Sequence, residues 1–335
     1  MLKYFLKRIL LIIPTLIGVT LISFVLLNLT PGGPIEQKIQ QIKQAQQASG
    51  QNFGVSEEVI EGLKKQYGFD KPMHTRYFIW VTSLARLDFG RSFSFEEPAL
   101  DVILSRIPIS LQFGLVSFLL IYLVCVPLGI RKAVMDGSTF DHVSSFFLII
   151  LYSIPPLMLG ILLRNFLANP MYLEWFPLQG SVSDEYEYMT FIEQVWDRIH
   201  HFILPLLCYM IGGFTALTFL MKNSLLDEIK LDYVRTARAK GLAEKTVVYR
   251  HALRNALIPI VTSLGSFLGI FLAGSIIIEE IFNIYGMGQL SYTALLQRDY
   301  NISMGIIFLS SLFLLLGRLI SDLLYIAVDP RIDFS

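Results

Sequence analysis

Cysteine is nearly absent from this 335-residue chain. Cys125 and Cys208 both fall inside apolar runs, with no Cys or His neighbour at ligand spacing. Two such thiols make neither a disulfide framework nor a metal site, and each reads as a small buried hydrophobe. Charge is scarce as well. Charged residues are 16% of the chain, against about 25% in an ordinary soluble domain, and 27 bases balance 27 acids. No nucleic-acid partner is expected from such a chain. The signatures of several enzyme classes are missing. There is no GxxxxGK[ST] phosphate loop, so the chain is not expected to hydrolyse a nucleotide itself. There is no HExxH, and the adjacent His200 and His201 point to different faces of a helix. A GxSxG elbow is also lacking. No catalytic, cofactor-binding or metal-binding residue is assigned.

What the chain has instead is length of apolar run. Hydrophobic residues are 54% of the total and fall into six blocks: Ile9–Leu29, Ile109–Ile130, Val143–Leu163, Phe202–Met221, Leu257–Ile278 and Ile302–Val328. Each is close to the ~20 residues that carry a helix across a bilayer. Lipid offers no partner to an open backbone group, so a spanning block of this kind is a helix, and a barrel would show short alternating segments instead. The expected fold class is an all-α polytopic membrane protein with six transmembrane helices. The opening MLKYFLKRILLIIPTLIG resembles a signal peptide in its charge pattern. Its apolar core is longer than the ~7–15 residues of a signal, and no small-x-small site follows, so a retained first span is expected.

Six spans place both termini on one side. With the N-terminus inside, the cytoplasmic pieces are the tail before Ile9, Arg131–His142, Lys222–Ala256 and the C-terminal tail 329–335. They carry 3, 2, 8 and 1 Lys or Arg. Positive residues near short loops favour the cytoplasmic face, so this orientation is expected, with N- and C-termini cytoplasmic and the chain multi-pass in the inner membrane.

The organisation follows from those spans. Residues 1–29 are a short tail and the first span, 30–108 an external segment, 109–328 the membrane body with a cytoplasmic loop at 222–256, and 329–335 a tail. After the first span, TPGGP stops the helix. Glu36–Gly50, rich in Gln and Lys, looks mobile. Ser56 before Glu57 and Glu58 starts a helix that ends at Gly68. The stretch HTRYFIWVTSLARLDFG is expected to lie along the outer membrane surface, with Phe78, Trp80, Val81 and Leu84 as apolar contacts. Arg164–His201 forms an aromatic and acidic external loop. Pro127, Pro155, Pro156 and Pro205 sit in or beside spans, where they permit either kinked packing or a hinge. Glu279 and Glu280 end the fifth span and mark its interface. Arg318 and Asp322, four apart in the last span, form a mutual pair near the cytoplasmic end or else face a cavity.

One segment departs from this pattern. DYVRTARAKGLAEKTVVYRHALRNALIP, Asp232–Pro259, carries eight charged side chains between two apolar runs. Tyr233–Lys240 favours helix, and Gly241 supplies a left-handed position that ends it. Ala237 and Ala239 keep the surface close to the backbone, so a partner protein could approach tightly. Arg235, Arg238, Lys240, Lys245, Arg250 and Arg254 suit an acidic partner or anionic lipid. An ordinary positive-inside loop needs only a few lysines; this one runs to about 35 residues of helical pattern.

Here the sequence resembles the membrane permease subunits of ATP-binding-cassette importers. Their cytoplasmic loop has the form EAA-x3-G-x9-I-x-L-P. Against Gly241, the EAA places fall on Arg235, Thr236 and Ala237, of which the alanine agrees. The I, L and P places fall on His251, Leu253 and Arg254, of which the leucine agrees. The resemblance to the dipeptide/oligopeptide branch is much stronger. YVRTARAKGL and HALRNA occur at that branch's separation, with KRILLIIPTLIG, YGFDKP, LDFGRS, GSIIIEEIF, the Gly286-x-Gly288 pair, QRDY and the ending DPRIDF. TPGGP, VPLGIRKAV and IGGFTALTFLMKNSLLDE are similar to the microcin C and oligopeptide (YejB-type) subgroup. Tyr285, where the branch usually has proline, and Arg318, where it has a neutral or amide residue, are departures.

The resemblance implies a type I importer permease fold, with a small external helical segment after the first span. It implies half of a translocation path for oligopeptides, microcin C-like peptides included, shared with a second homologous permease. ABC ATPase subunits, which would carry the ATP and Mg, and an extracytoplasmic peptide-binding protein would complete the system, with membrane lipid around it. The loop residues implied to couple to the ATPase are Tyr233, Arg235, Thr236, Ala237, Arg238, Ala239, Lys240, Gly241, Leu242, Glu244, His251, Arg254 and Asn255. Two rivals stand beside this reading: the same scaffold importing nickel or another small solute, and a stand-alone membrane channel or enzyme.

Overall fold

The computed structural model describes residues 2–48, 55–66, 68–84, 86–264 and 274–328. Among them the chain is helical apart from turns, irregular stretches and one isolated antiparallel bridge between Arg91 and Pro98. The elements are α1 (Leu2–Leu29), α2 (Pro34–Ala48), α3 (Glu57–Gln66), α4 (Met73–Leu84), α5 (Ala99–Val134), α6 (Thr139–Ser153), α7 (Pro156–Leu163), α8 (Phe191–Ile229), α9 (Asp232–Ala239), α10 (Ile276–Ile281), α11 (Met287–Leu296) and α12 (Tyr300–Val328), with short turns between α9 and α10.

Four of these helices, α1, α5, α8 and α12, are long and apolar enough to cross a membrane, and α6 with α7 makes a fifth if the bent pair counts as one span. The expected fifth block, Leu257–Ile278, falls in part on residues 265–273, outside the described residues; 258–264 on one side and α10 on the other are helical. The expected span Val143–Leu163 is not one rod. It breaks at Ile154 and Pro155, and the two helices meet at 89°. Two successive prolines remove two N–H donors and clash with the preceding turn, so the helix cannot run through them.

Other boundaries shift for simpler reasons. α5 and α8 have 36 and 39 residues, so they extend roughly 54 and 58 Å, well beyond the ~30 Å hydrocarbon layer. The first residues of the expected loop Lys222–Ala256 therefore continue α8, and the end of Arg164–His201 is its beginning. Thr190 starts α8 with a capping box closed by Glu193, whose carboxyl is held below its ordinary value by the Thr190 backbone N–H and hydroxyl. The Gln-rich stretch expected to be mobile forms α2. Gln, Ala, Lys and Glu are good helix formers, and Pro34 stands at the first helical position.

The chain divides into two compact units. In one (Leu6–Ile107 with Leu290–Leu312), the segment that follows α1 gathers around the start of α12. Asp299, fully buried, accepts hydrogen bonds from Ser92 Oγ (2.5 Å), Ser94 N (3.0 Å) and, at the start of α12, Ile302 N (3.2 Å). Asn301 Nδ2 donates to Arg91 O at 2.7 Å, and Tyr300 OH reaches Leu27 O on α1 at 2.8 Å. Two separate strings of the sequence, LDFGRS and QRDY, thus form one hydrogen-bonded joint.

In the other unit (Met1–Phe5, Pro108–Gln289, Phe313–Ser335), α5 and α8 pack closely. A Cβ on Gly129 would lie 2.7 Å from Thr218 O, so only glycine allows this approach. Their shared core includes Ile121, Cys125, Leu217, Met221 and Leu225. A second cluster stacks Phe113 on Phe202, ring centroids 3.9 Å apart, beside Cys208, Phe282 and Ile284. On α12, Arg318 is exposed, while the buried Ser321 donates to Thr262 O at 2.6 Å.

Candidate functional site

The segment after α8 folds back on that helix as an elbow. α9 runs Asp232–Ala239; Gly241 at φ +80° reverses the chain; Glu244–Thr246, a π-helical turn Val247–Ala252 and Leu253–Ala256 form the return leg. The sequence dictates this shape. Val234 and Ala237 are three apart, and Val247, Val248, Ala252 and Ala256 recur at helical spacing, so each leg has one apolar side. Those six residues are buried with Leu217, Met221, Leu225 and Ile260. The elbow is therefore seated on the α8 core.

Its other side faces outward. Asp232, Tyr233, Arg235, Thr236, Arg238, Ala239, Lys240, Gly241, Leu242, Glu244, Lys245 and Arg254 are exposed; His251 and Asn255 are half-buried. Ala237 is a correction to the sequence reading: its side chain is one of the buried contacts and offers no surface to a partner. Ala239 does. A Cβ at Gly241 would meet nothing within 4 Å, so glycine is required by the backbone angle alone.

Three local contacts fix the outward face. Arg238 and Glu244 pair across the glycine, NH2 to Oε1 at 2.6 Å and Nε to Oε2 at 2.9 Å. The hydrogen bonds from Arg238 hold the Glu244 carboxyl below its ordinary value, and those to Glu244 raise that of Arg238. Tyr233 OH donates to Glu228 Oε2 on α8 and accepts from Asn255 Nδ2 at 3.1 Å, tying the start of α9 to the return leg. Burial, then the Glu228 carboxylate, pushes the Tyr233 phenol up to about 12. Thr236 Oγ1 bonds back to Asp232 O at 2.9 Å. Lys240, Lys245, Arg250 and Arg254 make no ion pair with the described residues and leave this face cationic.

Sequence reasoning missed two clusters in the same unit. The first ties the root of the elbow to α5 and α6. Lys132 on α5, fully buried, donates to Asp141 O (2.9 Å), Ser144 Oγ (2.8 Å) and Ser145 Oγ (2.7 Å), and lies 3.0 Å from Asp141 Oδ1. Lys222 on α8 lies 2.7 Å from Asp141 Oδ2 and 2.8 Å from Asp136 Oδ1. Two cations and two carboxylates bind three helices. In sequence Lys222 stands 81 residues beyond Asp141 and farther still from Lys132 and Asp136, with no spacing signal to join them.

The second cluster is Glu279, read from sequence as an interface marker. It is fully buried. Its carboxylate accepts from Ser110 Oγ (2.9 Å), Tyr209 OH (3.2 Å), Ser275 N (3.3 Å) and Gln289 N (2.9 Å), while Met287 N donates to Ser110 Oγ. Glu280 alone of the pair is exposed. The only hint in sequence is the surrounding glycines: a Cβ on Gly274 or Gly286 would lie 2.6 Å from the carboxylate.

Residues 125–334 match the family described as the binding-protein-dependent transport system inner membrane component. The chain belongs to that family. Relatives align end to end. The peptidoglycan transport system permease protein YejB of Agrobacterium fabrum is 40% identical over 99% of this chain and 98% of its own length. The inner membrane ABC transporter permease protein YejB of Escherichia coli O157:H7 is 41% identical over 99% of both. The oligopeptide transport system permease protein AppB of Bacillus subtilis is 34% identical over the whole of both chains. Among solved structures, the MetNI methionine ABC transporter in its inward-facing form matches 69% of this chain and 98% of that one at 16% identity, with a TM-score of 0.51, a likeness of fold. As an ABC permease subunit with the type I importer fold, the chain is a transport component of the inner membrane. ATP hydrolysis lies in partner subunits, and the family works with an ATPase, a binding protein and a second permease.

Proposed function

We propose that this chain forms half of an oligopeptide path in an ATP-driven importer, and that Asp232–Asn255 is the handle by which a cytoplasmic ATPase moves it. The observation that carries the reading is the two-sidedness of the elbow: six buried apolar residues root it on α8, and its other face is cationic and free of bulky side chains at Ala239 and Gly241. A surface held this firmly from behind transmits a push as rigid motion. The ATPase pair, closing on ATP and Mg held in its own subunits, supplies the differential contact energy that such a switch requires. The names of the relatives, for peptidoglycan, oligopeptide and dipeptide transport, support peptides as cargo.

In this reading both termini and the elbow face the cytoplasm. Residues 30–108 lie outside, where a peptide-binding protein delivers cargo, and residues 109–328 with a second homologous permease enclose the path. The test is cross-linking in the assembled transporter. Both native thiols are buried, so Lys240→Cys presents a single reactive one. A thiol-to-amine reagent should join it to the ATPase, and an impermeant thiol reagent added from outside should leave it unlabelled. Labelling from outside, or no adduct in a complex that still contains the ATPase, overturns the assignment. Proteoliposomes separate the cargoes: ATP-driven uptake of a labelled oligopeptide is expected, and uptake of nickel without peptide would reject them as substrate.

A further inference from the structure

A pocket of about 430 Å³ lies entirely within the unit of α1–α4 and the start of α12. Its walls are aromatic, from Phe24, Phe69, Phe89 and Tyr300, and α4 contributes Arg76 and Trp80 one turn apart. Arg76 lies over Phe69, its guanidinium carbon 3.8 Å from the ring centroid, and 5.8 Å from that of Phe24. Stacking occupies the faces of a guanidinium and leaves its edge donors free. Arg76 makes no ion pair or side-chain hydrogen bond with the described residues. The indole N–H of Trp80 is buried with no acceptor. A buried donor without a partner is costly, so this position favours a ligand that brings an acceptor.

The charges around the pocket are unbalanced. Lys71, Arg76 and Arg91 stand against the single carboxylate of Asp88, which already accepts from Gly90 N at 2.9 Å. Arg91 is partly used, donating to Glu96 O. The vacant chemistry is therefore that of an anion carried on an apolar body.

Depth decides which anion. Tyr77 on α4 bonds Ile17 O at 3.1 Å and Thr20 Oγ1 at 3.0 Å. Thr20 lies nine residues before the end of α1, roughly 14 Å back into its apolar stretch, and Phe24 about 8 Å back. The Thr20 contact reaches toward the middle of the ~30 Å hydrocarbon layer, whereas the pocket itself meets α1 at Phe24, at the depth of the upper acyl chains just below the headgroups. α4 exposes Phe78 and Ile79, as a helix seated in that zone does. We propose that this pocket binds the phosphate of an anionic phospholipid, with Arg76 and the Trp80 N–H as its donors and the aromatic walls against the glycerol and upper acyl chains. Which leaflet supplies the lipid follows from the orientation proposed above; the preference for an anionic headgroup does not depend on it.

The chain has three tryptophans, so Trp175→Phe with Trp196→Phe leaves Trp80 as the single reporter. The full-length protein is placed in nanodiscs of phosphatidylcholine doped with brominated phosphatidylglycerol or, in parallel, brominated phosphatidylcholine. Quenching of Trp80 should reach half its maximum at a mole fraction at least fivefold lower for phosphatidylglycerol. Arg76→Gln should abolish that preference, and Arg86→Gln, the same charge change outside the pocket, should keep it. Equal quenching by the two lipids in the protein with Arg76 intact overturns the proposal, whatever the variants do. So does loss of the preference in Arg86→Gln to the same extent, or its survival in a folded Arg76→Gln. Protection of Trp80 by millimolar inorganic phosphate or a hydrophobic dipeptide, with no effect of lipid, would assign the pocket to a soluble anion and reject the lipid.

Discussion

Lys222 on α8 holds its ammonium 2.7 Å from Asp141 Oδ2 on α6, while Lys132 on α5 approaches the other oxygen of the same carboxylate at 3.0 Å. One carboxylate bridges cations from two other helices, and Asp136 supplies the second negative charge. The partners of Asp141 are fixed from both sides: Lys132 by the Ser144 and Ser145 hydroxyls, Lys222 by Asp136. Such a network is no better for stability than well-packed apolar residues would be, but removing one member strands the rest.

Asp141→Asn leaves a fully buried ammonium without its counter-charge, and a loss of about 3 kcal/mol is expected. Asp136 is half exposed, and Asp136→Asn should cost under ~1 kcal/mol. Thermal unfolding of the two purified variants checks the contrast. Equal losses would mean that Asp141 is not the centre of the cluster.

Gly241 sits at φ +80°, and a Cβ there would meet no neighbour. A β-branched residue must therefore strain the backbone or unwind the elbow, at roughly 1–2 kcal/mol. Gly241→Val should insert normally and transport poorly, because the handle is displaced. Gly241→Asn, which tolerates the left-handed region, should retain most transport. ATP-driven peptide uptake at matched expression is the measurement. Normal uptake in Gly241→Val would remove the elbow from the coupling path.

The Arg238–Glu244 pair makes a small prediction with a definite sign. Its carboxyl is depressed in the folded chain, so its contribution is present above the ordinary Glu value of 4.5 and lost as pH falls through the lower folded value. Both groups are exposed, which keeps the contribution below ~1 kcal/mol. Amide exchange at Lys240 to Ala243, corrected for intrinsic rates, should quicken below pH 4.5 in the native protein. In Glu244→Gln it should already be fast at pH 7.

The glycines around Glu279 offer a steric test. A Cβ on Gly286 would lie 2.5 Å from Ser110 Oγ and 2.6 Å from the Glu279 carboxylate. Gly286→Ala is expected to destabilise by about 1–3 kcal/mol, the usual range for overpacking. Gly18, in α1, has open space around it, and Gly18→Ala should be neutral or stabilise by up to ~1 kcal/mol. Thermal unfolding of both variants decides. No loss in Gly286→Ala would show that the carboxylate knot is looser than its distances imply.

The chain's own chemistry made much of this legible in advance. Apolar runs near 20 residues dictate spanning helices, because a backbone in lipid has no other way to close its hydrogen bonds. Gly241 ends α9 as its position predicts, and the apolar spacing of Val234 and Ala237 foretells an inward side, while the small size of Ala237, which points to a surface open to a partner, is used inside the core. Composition misled at α2, where polar residues suggested mobility and their high helix propensity prevailed. It also misjudged where α8 starts and stops, since a helix leaving the membrane keeps its hydrogen bonds in water and needs no apolar side chains to continue.

By itself the sequence determined that the chain is a helical membrane protein, where its glycine reversal falls, and which short strings mark its family, since these depend on neighbours along the backbone. Only the tertiary structure decided that Lys132, Asp141 and Lys222 share one buried knot, that Glu279 is enclosed rather than set at an interface, and that Asp299 joins two distant strings. Those outcomes depend on which helix faces approach each other. A buried charge in sequence looks the same as a solvated one until the partner that neutralises it, tens or hundreds of residues away, is brought within 3 Å.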